Sequence, residues 1–292
     1  MEETQTTPQV SVLIVSYNRA EALRRCLAAL ERSAGRETFE IVVVDNGSQD
    51  GSVGVIAEFP NVTPLHLPRN FGFTKALNIG MRTAKGEFFF FLNPRTEVLA
   101  DTVSTLAAQL AAQPDAVAVS PLLDGASHLY KLPRPENVGA LAGAGAFEEA
   151  AIETGGDTPV EVEFAGFAAL MVRAYFLKGL RYIDERYAQS WADAEIAAQI
   201  RRAGRKTLLV PAARATWHSE DDLRETMPPQ AVALLESDWK LGAAAFAGKH
   251  FGYAAGLKVR IASALGALAA FQIRRFTYLL SGQKIDGTQN VM

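Results

Sequence analysis

Residues 87–96, with the sequence Glu-Phe-Phe-Phe-Phe-Leu-Asn-Pro-Arg-Thr, constrain the fold more than any other stretch of the chain. Five large apolar residues follow one another, with Gly86 before them and a polar turn containing Pro94 after them. A short apolar run without alternation predicts a strand that is buried on both faces. The polar turn would then lie at the carboxyl end of a central strand, where open α/β sheets place their ligands.

The segments around this strand alternate between two kinds of apolar spacing. Runs rich in valine and isoleucine predict strands, and between them leucines three and four residues apart predict helices. The predicted strands cover residues 10–16, 39–44, 62–67 and 88–92. This alternation is typical of the α/β class with a mostly parallel central sheet and helices on both faces.

The pattern is less regular beyond residue 130. Residues 133–159 are rich in Gly, Ala, Glu and Thr and predict a long loop or insertion near the site. Strands are expected over residues 164–172 and 207–210, the second ended by Pro211, with a helix over residues 190–203 between them. After residue 227 the whole chain has helical spacing. We therefore expect a domain over residues 10–220 and a helical C-terminal extension over residues 221–292.

Composition excludes several classes of protein. The net charge of -3 over 292 residues gives no reason to expect nucleic-acid binding, and the single cysteine, Cys26, excludes an internal disulfide and a cysteine-based metal cluster. Residues 1–9 are expected to be disordered. They lack the basic and apolar regions of a signal peptide, so we expect a protein of the reducing cytoplasm.

The charged side chains near the C-terminus are predominantly basic. Its longest uncharged apolar stretch, residues 261–273, has 13 residues and is too short to span a bilayer as a helix. Residues 249–284 contain six Lys and Arg residues and no Asp or Glu. With apolar residues at helical spacing, this pattern predicts either helices lying on an anionic membrane surface or a helical hairpin packed in solution.

Several polar residues follow predicted strands or begin a predicted helix. Asp45 can accept a hydrogen bond from the ring N–H of a pyrimidine base, or it can bind the backbone of its own turn. Arg69 can pair with phosphate oxygens, and nearby Gly72 permits close backbone approach. Asp193 and Glu195 are two residues apart on a helix, so they point to different faces; one of them can act as a general base, or both can complement the helix dipole.

Five motifs in the same order closely resemble those of family 2 glycosyltransferases, and within that family the likeness is greatest to bacterial rhamnosyltransferases of cell-wall and surface-polysaccharide assembly. The motifs, which lie between about residues 10 and 218, are Ser16-Tyr17-Asn18-Arg19, Asp45-Asn46-Gly47-Ser48, Arg69-Asn70-Phe71-Gly72-Phe73, the 88–96 strand and turn, and Trp191-Ala192-Asp193-Ala194-Glu195. Phe164-Ala165-Gly166 is similar to the family's acceptor-side strand.

The resemblance implies a GT-A fold, an inverting mechanism and a nucleoside-diphosphate sugar donor carrying dTDP or UDP. It implies that Tyr17 and Asp45 hold the nucleobase, that Arg69 and Asn70 lie near the ribose and diphosphate, and that Asp193 is the base. On the acceptor or diphosphate side it places Gly166, Trp191, Glu195 and His218.

This sequence departs from the family's pattern at the metal-binding motif. Asn93 and Arg95 occupy the places of the usual metal-binding carboxylates, and an arginine repels a cation instead of binding it. Three alternatives follow: transfer without metal, in which Arg95 pairs with the diphosphate; Mg²⁺ or Mn²⁺ held by a substitute such as Glu97; or a protein that has lost turnover.

The expected function is transfer of a sugar, rhamnose being the first candidate, to a glycan or lipid-linked acceptor in cell-surface polysaccharide synthesis. The protein would work in the cytoplasm, or peripherally at the inner face of the plasma membrane. The alternative is a catalytically silent binding or scaffold protein. A nucleotide-sugar pyrophosphorylase or a dinucleotide oxidoreductase is disfavoured, because no glycine-rich loop follows the first strand.

Overall fold

A computed structural model describes residues 7–125, 128–219 and 227–285. Residues 1–6 of the segment expected to be disordered lie outside these ranges, and so does the domain boundary expected at residue 220. The backbone N–H of Gln9 donates to the carbonyl of Thr38 at 3.0 Å, which attaches the chain to the sheet just before its first strand.

The secondary structure alternates between strands and helices up to the C-terminal region, which is helical. The strands are β1 (Val10–Ser16), β2 (Phe39–Asp45), β3 (Val62–His66), β4 (Phe88–Leu92), β5 (Thr96–Val98), β6 (Ala116–Asp124), β7 (Leu129–Tyr130), β8 (Val160–Val162), β9 (Phe164–Ala165), β10 (Ala169–Arg173) and β11 (Lys206–Trp217). The α-helices are α1 (Ala20–Glu31), α2 (Ser52–Ala57), α3 (Phe73–Thr83), α4 (Thr102–Ala112), α5 (Val138–Ala144), α6 (Ala174–Gly179), α7 (Ala192–Arg202), α8 (Pro229–His250), α9 (Tyr253–Ala269) and α10 (Ile273–Ser281).

The central sheet has the order β3-β2-β1-β4-β10-β6-β11-β5. Strands β3, β2, β1 and β4 are parallel, β10 is antiparallel to both of its neighbours, and β6 and β11 are again parallel. This confirms the prediction of a mostly parallel sheet with helices on both faces. The carboxyl ends of β1, β2 and β4 meet at one edge, which is where the polar turns of the sequence lie.

The phenylalanine-rich strand β4 is buried on both faces, as its sequence predicts. Phe88 and Phe90 belong to the apolar cluster on one face of the sheet, and Phe89 and Phe91 belong to the cluster on the other. All four side chains are at most 1% exposed. Truncating one of them to alanine typically costs about 3–5 kcal/mol, so β4 contributes strongly to the stability of the sheet from which the polar turn emerges.

The structure corrects three sequence-based expectations. The strand expected over residues 164–172 is two strands, β9 and β10, which belong to different sheets. Pro211 does not end β11. The register between β11 and β6 shifts between Val210 and Arg214. At such a bulge the strand needs no hydrogen bond from the backbone of residue 211, so a proline, which has no N–H, is accommodated. The loop expected over residues 133–159 contains the helix α5.

The C-terminal region forms the predicted helices, and they pack on the rest of the protein. Phe246 of α8 belongs to the same core cluster as Phe89, so the two regions share a core. Helices α8 and α9 cross closely at Gly248 and Gly256: a Cβ on Gly256 would lie 2.6 Å from the carbonyl oxygen of Ala244. In the described ranges no helix combines the length and the apolar character that crossing a membrane requires.

Candidate active site

A cleft of about 740 Å³ opens at the carboxyl ends of β1, β2 and β4. Four of the six residues predicted to bind the donor line it: Tyr17, Asn70, Asn93 and Arg95. The topology explains this grouping, since each of these residues lies in a turn that leaves one of four neighbouring parallel strands. The structure thus places these four residues around one cleft, and their contacts with a donor stay predictions.

Asparagine side chains hold two of these turns together. Asn46 donates from Nδ2 to Oδ1 of Asn70 at 2.9 Å, and its own Oδ1 accepts the N–H of Phe71 at 2.9 Å. Asn70 also accepts the N–H of Gly72 at 2.9 Å and is hydrogen-bonded to Tyr17. Partial burial raises the pKa of Tyr17, so its hydroxyl is neutral at physiological pH. Asn46 lines the cleft too, although no role was assigned to it from the sequence.

Arg95 is held in position by three contacts. Its N–H donates to Oδ1 of Asn93 at 3.0 Å, and its Nε donates to the carbonyl of His218 at 2.8 Å. The guanidinium carbon lies 4.7 Å from the centre of the Trp217 ring. Over the described ranges no carboxylate forms an ion pair with Arg95, although the residue lines the cleft. This arrangement presents a fixed, uncompensated positive charge to whatever occupies the cleft.

The residues around this turn do not fit a divalent cation. Glu97, the proposed substitute ligand, accepts from Nε2 of His218 at 3.0 Å and lies 3.5 Å from the guanidinium of Arg32. Neither Glu97 nor His218 lines the cleft, so the structure does not support either as a ligand. The part of the chain that the structure describes has no group of three or more His, Cys, Asp or Glu side chains suited to a metal.

Asp45 and Arg69 are not brought into the cleft. The carboxylate of Asp45 is buried and accepts the N–H of Ser48 at 3.3 Å, which is the turn role that the sequence left open. Arg69 is exposed and lies over the ring of Phe71, 5.2 Å from its centre. The two turns nevertheless touch: Gly47 has a φ of 81°, and a Cβ there would lie 2.6 Å from the backbone of Arg69. The donor contacts expected of Asp45 and Arg69 stay predictions.

A second cleft, of about 300 Å³, contains Asp193 and continues from the first. Gly166 and Trp191, both placed on the acceptor side by the sequence, line it. A Cβ on Gly166 would lie 3.4 Å from Oδ2 of Asp193, so a larger residue there would crowd the carboxylate. The residues that line both clefts are Phe73, Asn93, Gln189, Ser190 and Trp239.

Asp193 lies in the first turn of α7 and is only partly exposed. Its Oδ1 accepts the N–H of Ala194 at 2.9 Å. Burial raises the pKa of Asp193 to about 6 and outweighs the backbone hydrogen bonds, which lower it. A carboxylate with this pKa is ionised near neutrality and accepts a proton more readily than an ordinary aspartate, which suits a general base.

Glu195 lines neither cleft, and its placement on the acceptor side stays a prediction. Its buried carboxylate accepts hydrogen bonds from Tyr187, Gln199 and His250 at 2.7–2.9 Å and pairs with Lys249 at 2.8 Å. These partners lower its pKa to about 2, against the effect of burial. Since Lys249 and His250 are on α8, Glu195 joins α7 to the C-terminal helices and has a structural role.

The C-terminal helices complete the wall of the first cleft, which the sequence did not predict. The contributing residues of α8 and α10 are Leu235, Glu236, Trp239, Lys240 and Arg275. Buried Asp238 of α8 accepts the N–H groups of Gln189 and Ser190 at 3.2 and 3.1 Å, and these residues lead into α7. Burial raises the pKa of Asp238 to about 6. A single aspartate within a helical segment gives no sequence signal for a contact 49 residues away.

A mostly parallel sheet with a polar cleft at its carboxyl edge, and an aspartate in an adjoining cleft at the start of a later helix, is the arrangement of the GT-A class. Residues 11–175 match the family model described as "Glycosyl transferase family 2". The chain therefore belongs to glycosyl transferase family 2.

Two relatives and two solved structures illustrate the likeness. The chain is 35% identical to "Glycosyltransferase AglE" of Haloferax volcanii over 112 residues, or 35% of this chain and 37% of that one. It is 31% identical to "Undecaprenyl-phosphate 4-deoxy-4-formamido-L-arabinose transferase" of Proteus mirabilis over 102 residues, 31% of each chain. The matches thus span less than two fifths of these relatives' lengths.

The solved structures share the fold. One, GalNAc-T7 with UDP, GalNAc and Mn²⁺, superposes with a TM-score of 0.61 at 18% identity, over 73% of this chain and 44% of that one. The other is the mannosyltransferase PcManGT of Pyrobaculum calidifontis with GDP-Man and Mn²⁺, with a TM-score of 0.52 at 17% identity, over 95% and 86% of the two chains.

Proposed function

We propose that this protein transfers a sugar, with rhamnose as the first candidate, from a dTDP- or UDP-sugar to a glycan or lipid-linked acceptor in cell-surface polysaccharide synthesis. The observation that carries the proposal is the continuity of two clefts. One has Tyr17 and Arg95 at the carboxyl edge of the sheet, and the other has Asp193 with its raised pKa. A nucleotide in the first cleft would direct its sugar towards the second.

The chemistry follows from this arrangement. The acceptor hydroxyl loses its proton to the carboxylate of Asp193 as its oxygen bonds to the anomeric carbon of the sugar. The bond between that carbon and the diphosphate oxygen breaks, and the nucleoside diphosphate leaves with the electron pair. Attack from the side opposite the leaving group inverts the anomeric configuration. Asp193 then passes its proton to solvent.

Arg95 stabilises the leaving group in this proposal. Its guanidinium is positioned by Asn93, the carbonyl of His218 and the ring of Trp217, and it carries a charge that no carboxylate in the described residues offsets. A planar guanidinium can donate two parallel hydrogen bonds to phosphate oxygens. Because the surrounding residues do not fit a divalent cation, we propose that transfer proceeds with Arg95 in place of a metal.

Two relatives support a lipid-linked acceptor by their names. They are the undecaprenyl-phosphate sugar transferase of Proteus mirabilis and a relative from Drosophila melanogaster named "Dolichyl-phosphate beta-glucosyltransferase". Undecaprenyl and dolichyl phosphates are carried by membranes, so we propose that this protein works peripherally at the cytoplasmic face of the plasma membrane.

The experiment measures donor binding and turnover separately. Calorimetric titration with UDP- and dTDP-sugars, with and without EDTA, identifies the donor. Release of the nucleoside diphosphate in the presence of a membrane extract then measures transfer. We expect EDTA-insensitive binding and a release that Asp193→Asn abolishes. Binding without release would favour the alternative of a catalytically silent scaffold protein, which the presence of Arg95 in the metal motif also suggests. Absence of binding to any nucleotide sugar would contradict the proposal.

A further inference from the structure

The exposed large apolar side chains are concentrated at one end of the chain. Among the described residues eleven are exposed, and only Val53, Leu99 and Tyr175 lie before residue 250. The other eight are here called the C-terminal apolar face: Tyr253, Leu257, Ile261, Leu265, Leu268, Phe271, Ile273 and Leu280. Large apolar patches on a soluble protein usually mark a surface that binds something.

Helix α9 supplies most of this face. Leu257, Ile261, Leu265 and Leu268 are separated by three or four residues, so they form one stripe, and each is 43–58% exposed. The stripe runs for about 16 Å along the helix. Lys258 is the single charged residue at the exposed positions of α9. An exposed helix of a soluble protein normally has a polar outer side, which α9 lacks.

The two ends of α9 carry exposed aromatic rings. Tyr253 at its first residue is 82% exposed, and Phe271, just beyond its last, is 88% exposed. Aromatic residues are favoured at the boundary between hydrocarbon and water. A helix with leucine and isoleucine between two such rings is suited to lie in that boundary, with its axis parallel to the membrane surface.

The charges around the face distinguish a lipid surface from other occupants. Residues 249–284 contain no Asp or Glu, so nothing acidic on these helices repels an anionic headgroup. Lys249 and Arg275 are engaged within the fold, by Glu195 and Glu236, and Arg260 donates to the carbonyl of Leu279. Exposed Lys258 and Arg274 have no ion pair in the described ranges and flank the apolar residues.

We infer that the C-terminal apolar face docks this protein on an anionic lipid bilayer. Helix α10 connects the face to the cleft, because Ile273 is exposed on the face while Arg275 lines the cleft. The inference rests on the proposed function in one respect: docking by this face would hold the cleft near the headgroup of a lipid-linked acceptor. The binding of lipid itself does not depend on the reaction.

The test is co-sedimentation of the full chain with vesicles of phosphatidylglycerol and phosphatidylcholine in equal parts, without donor. We expect the triple variant Ile261→Gln, Leu265→Gln, Leu268→Gln to reduce the vesicle-bound fraction at least about tenfold. Glutamine keeps the helical propensity, and these side chains are exposed, so the fold is expected to persist. The matched control is Val53→Gln, Leu99→Gln, Tyr175→Gln, which removes equally exposed apolar groups elsewhere and leaves the partition unchanged.

A charge variant adds a second readout. Lys258→Glu with Arg274→Glu is expected to weaken binding to the anionic vesicles and to have little effect on the weaker binding to pure phosphatidylcholine. The inference is overturned if the unaltered chain does not sediment with anionic vesicles, or if the triple variant sediments equally well. It is also overturned if sedimentation velocity shows a dimer that the triple variant dissociates, since the face would then bind a second copy.

Donor titration separates this inference from the proposed function. The triple variant is expected to bind the nucleotide sugar as the unaltered chain does. A chain that binds vesicles but no nucleotide sugar would contradict the proposed function and leave the lipid surface in place. A chain that binds nucleotide sugar but no vesicles would contradict the lipid surface and the peripheral location, and would leave the proposed sugar transfer in place.

Discussion

At the scale of single residues, Asp193, the proposed general base, carries a cost in stability. Burial raises its pKa from 3.8 to about 6, so its ionised form is less favourable in the folded protein than in the unfolded chain. Asp193→Asn is expected to reduce transfer by at least about 100-fold while donor affinity changes less than about twofold. Product release and calorimetric titration measure the two effects.

The same substitution is expected to stabilise the protein. A raised pKa means that the carboxylate costs folding free energy above about pH 6, and that this cost is absent below about pH 4, where the group is protonated in both states. Asp193→Asn should therefore raise the free energy of unfolding by about 1–3 kcal/mol at pH 7, with no gain near pH 4. Asp157→Asn, at an exposed loop position, is the control. Equal effects of the two substitutions on the free energy of unfolding would show that Asp193 does not have a raised pKa.

Arg95 provides a direct test of metal-free donor binding. Because the proposed contact is electrostatic, donor affinity should fall as salt rises and should not respond to EDTA. Arg95→Asp places a carboxylate beside the diphosphate and should weaken binding by at least about 100-fold, with partial recovery in Mg²⁺ or Mn²⁺. Arg202→Asp, at an exposed position of α7, controls for the change in net charge. A requirement for metal in the unaltered protein would contradict this assignment.

At the scale of elements, the C-terminal helix α8 holds the segment that leads to Asp193, the proposed base. Asp238→Ala leaves the N–H groups of Gln189 and Ser190 without their acceptor. Loss of a buried hydrogen-bond partner costs about 1–3 kcal/mol, and Asp193 lies a few residues further on. We expect slower turnover with donor affinity retained.

Asp238→Asn is the conservative comparison. Both N–H groups donate to one carboxylate oxygen, Oδ2, so the amide oxygen of the asparagine variant can take its place and should restore much of the turnover that the alanine variant loses. Turnover is measured as release of the nucleoside diphosphate under saturating donor, together with the melting temperature. If both variants melt alike and turn over alike, the position is structural and has no part in placing the base.

An element could be predicted from the sequence when its cause lies in its own residues, and could not when its cause is a contact with a distant segment. The strand β4 was predictable because five consecutive apolar residues require burial on both faces. The three-residue strand β5 has too few residues to show a period, and the continuation of β11 through Pro211 depends on its register with β6. The turn that contains Arg95 was placed by the expected topology of parallel strands, whereas Tyr17 and Asn70 were proposed from the family resemblance. Asp238 was missed because its contact joins distant segments.

At the scale of the whole molecule, four groups with shifted pKa values make opposing contributions to the dependence of stability on pH. Asp193 and Asp238 both have a pKa of about 6 in the folded state. Burial lowers the pKa of His128 from 6.5 to about 4, and its partners lower that of Glu195 from 4.5 to about 2. Between about pH 4 and 6 the folded state holds two additional protons on the aspartates, and the unfolded chain holds one on the histidine.

Together these four groups take up about one proton on folding between about pH 4.5 and 6. Their joint contribution to the free energy of unfolding should therefore rise on acidification through this window, by up to about 1.4 kcal/mol per pH unit. Acids whose pKa is lowered in the folded state, such as Glu148, Asp184 and Glu195, act in the opposite direction as the pH falls towards their ordinary pKa. In the double variant Asp193→Asn, Asp238→Asn the uptake of protons by the two aspartates is absent, so stability should fall more steeply on acidification between about pH 6 and 4.5 than it does in the unaltered protein. Urea denaturation of both proteins at several pH values in this window measures the two slopes. Equal slopes would show that the two aspartates do not have raised pKa values.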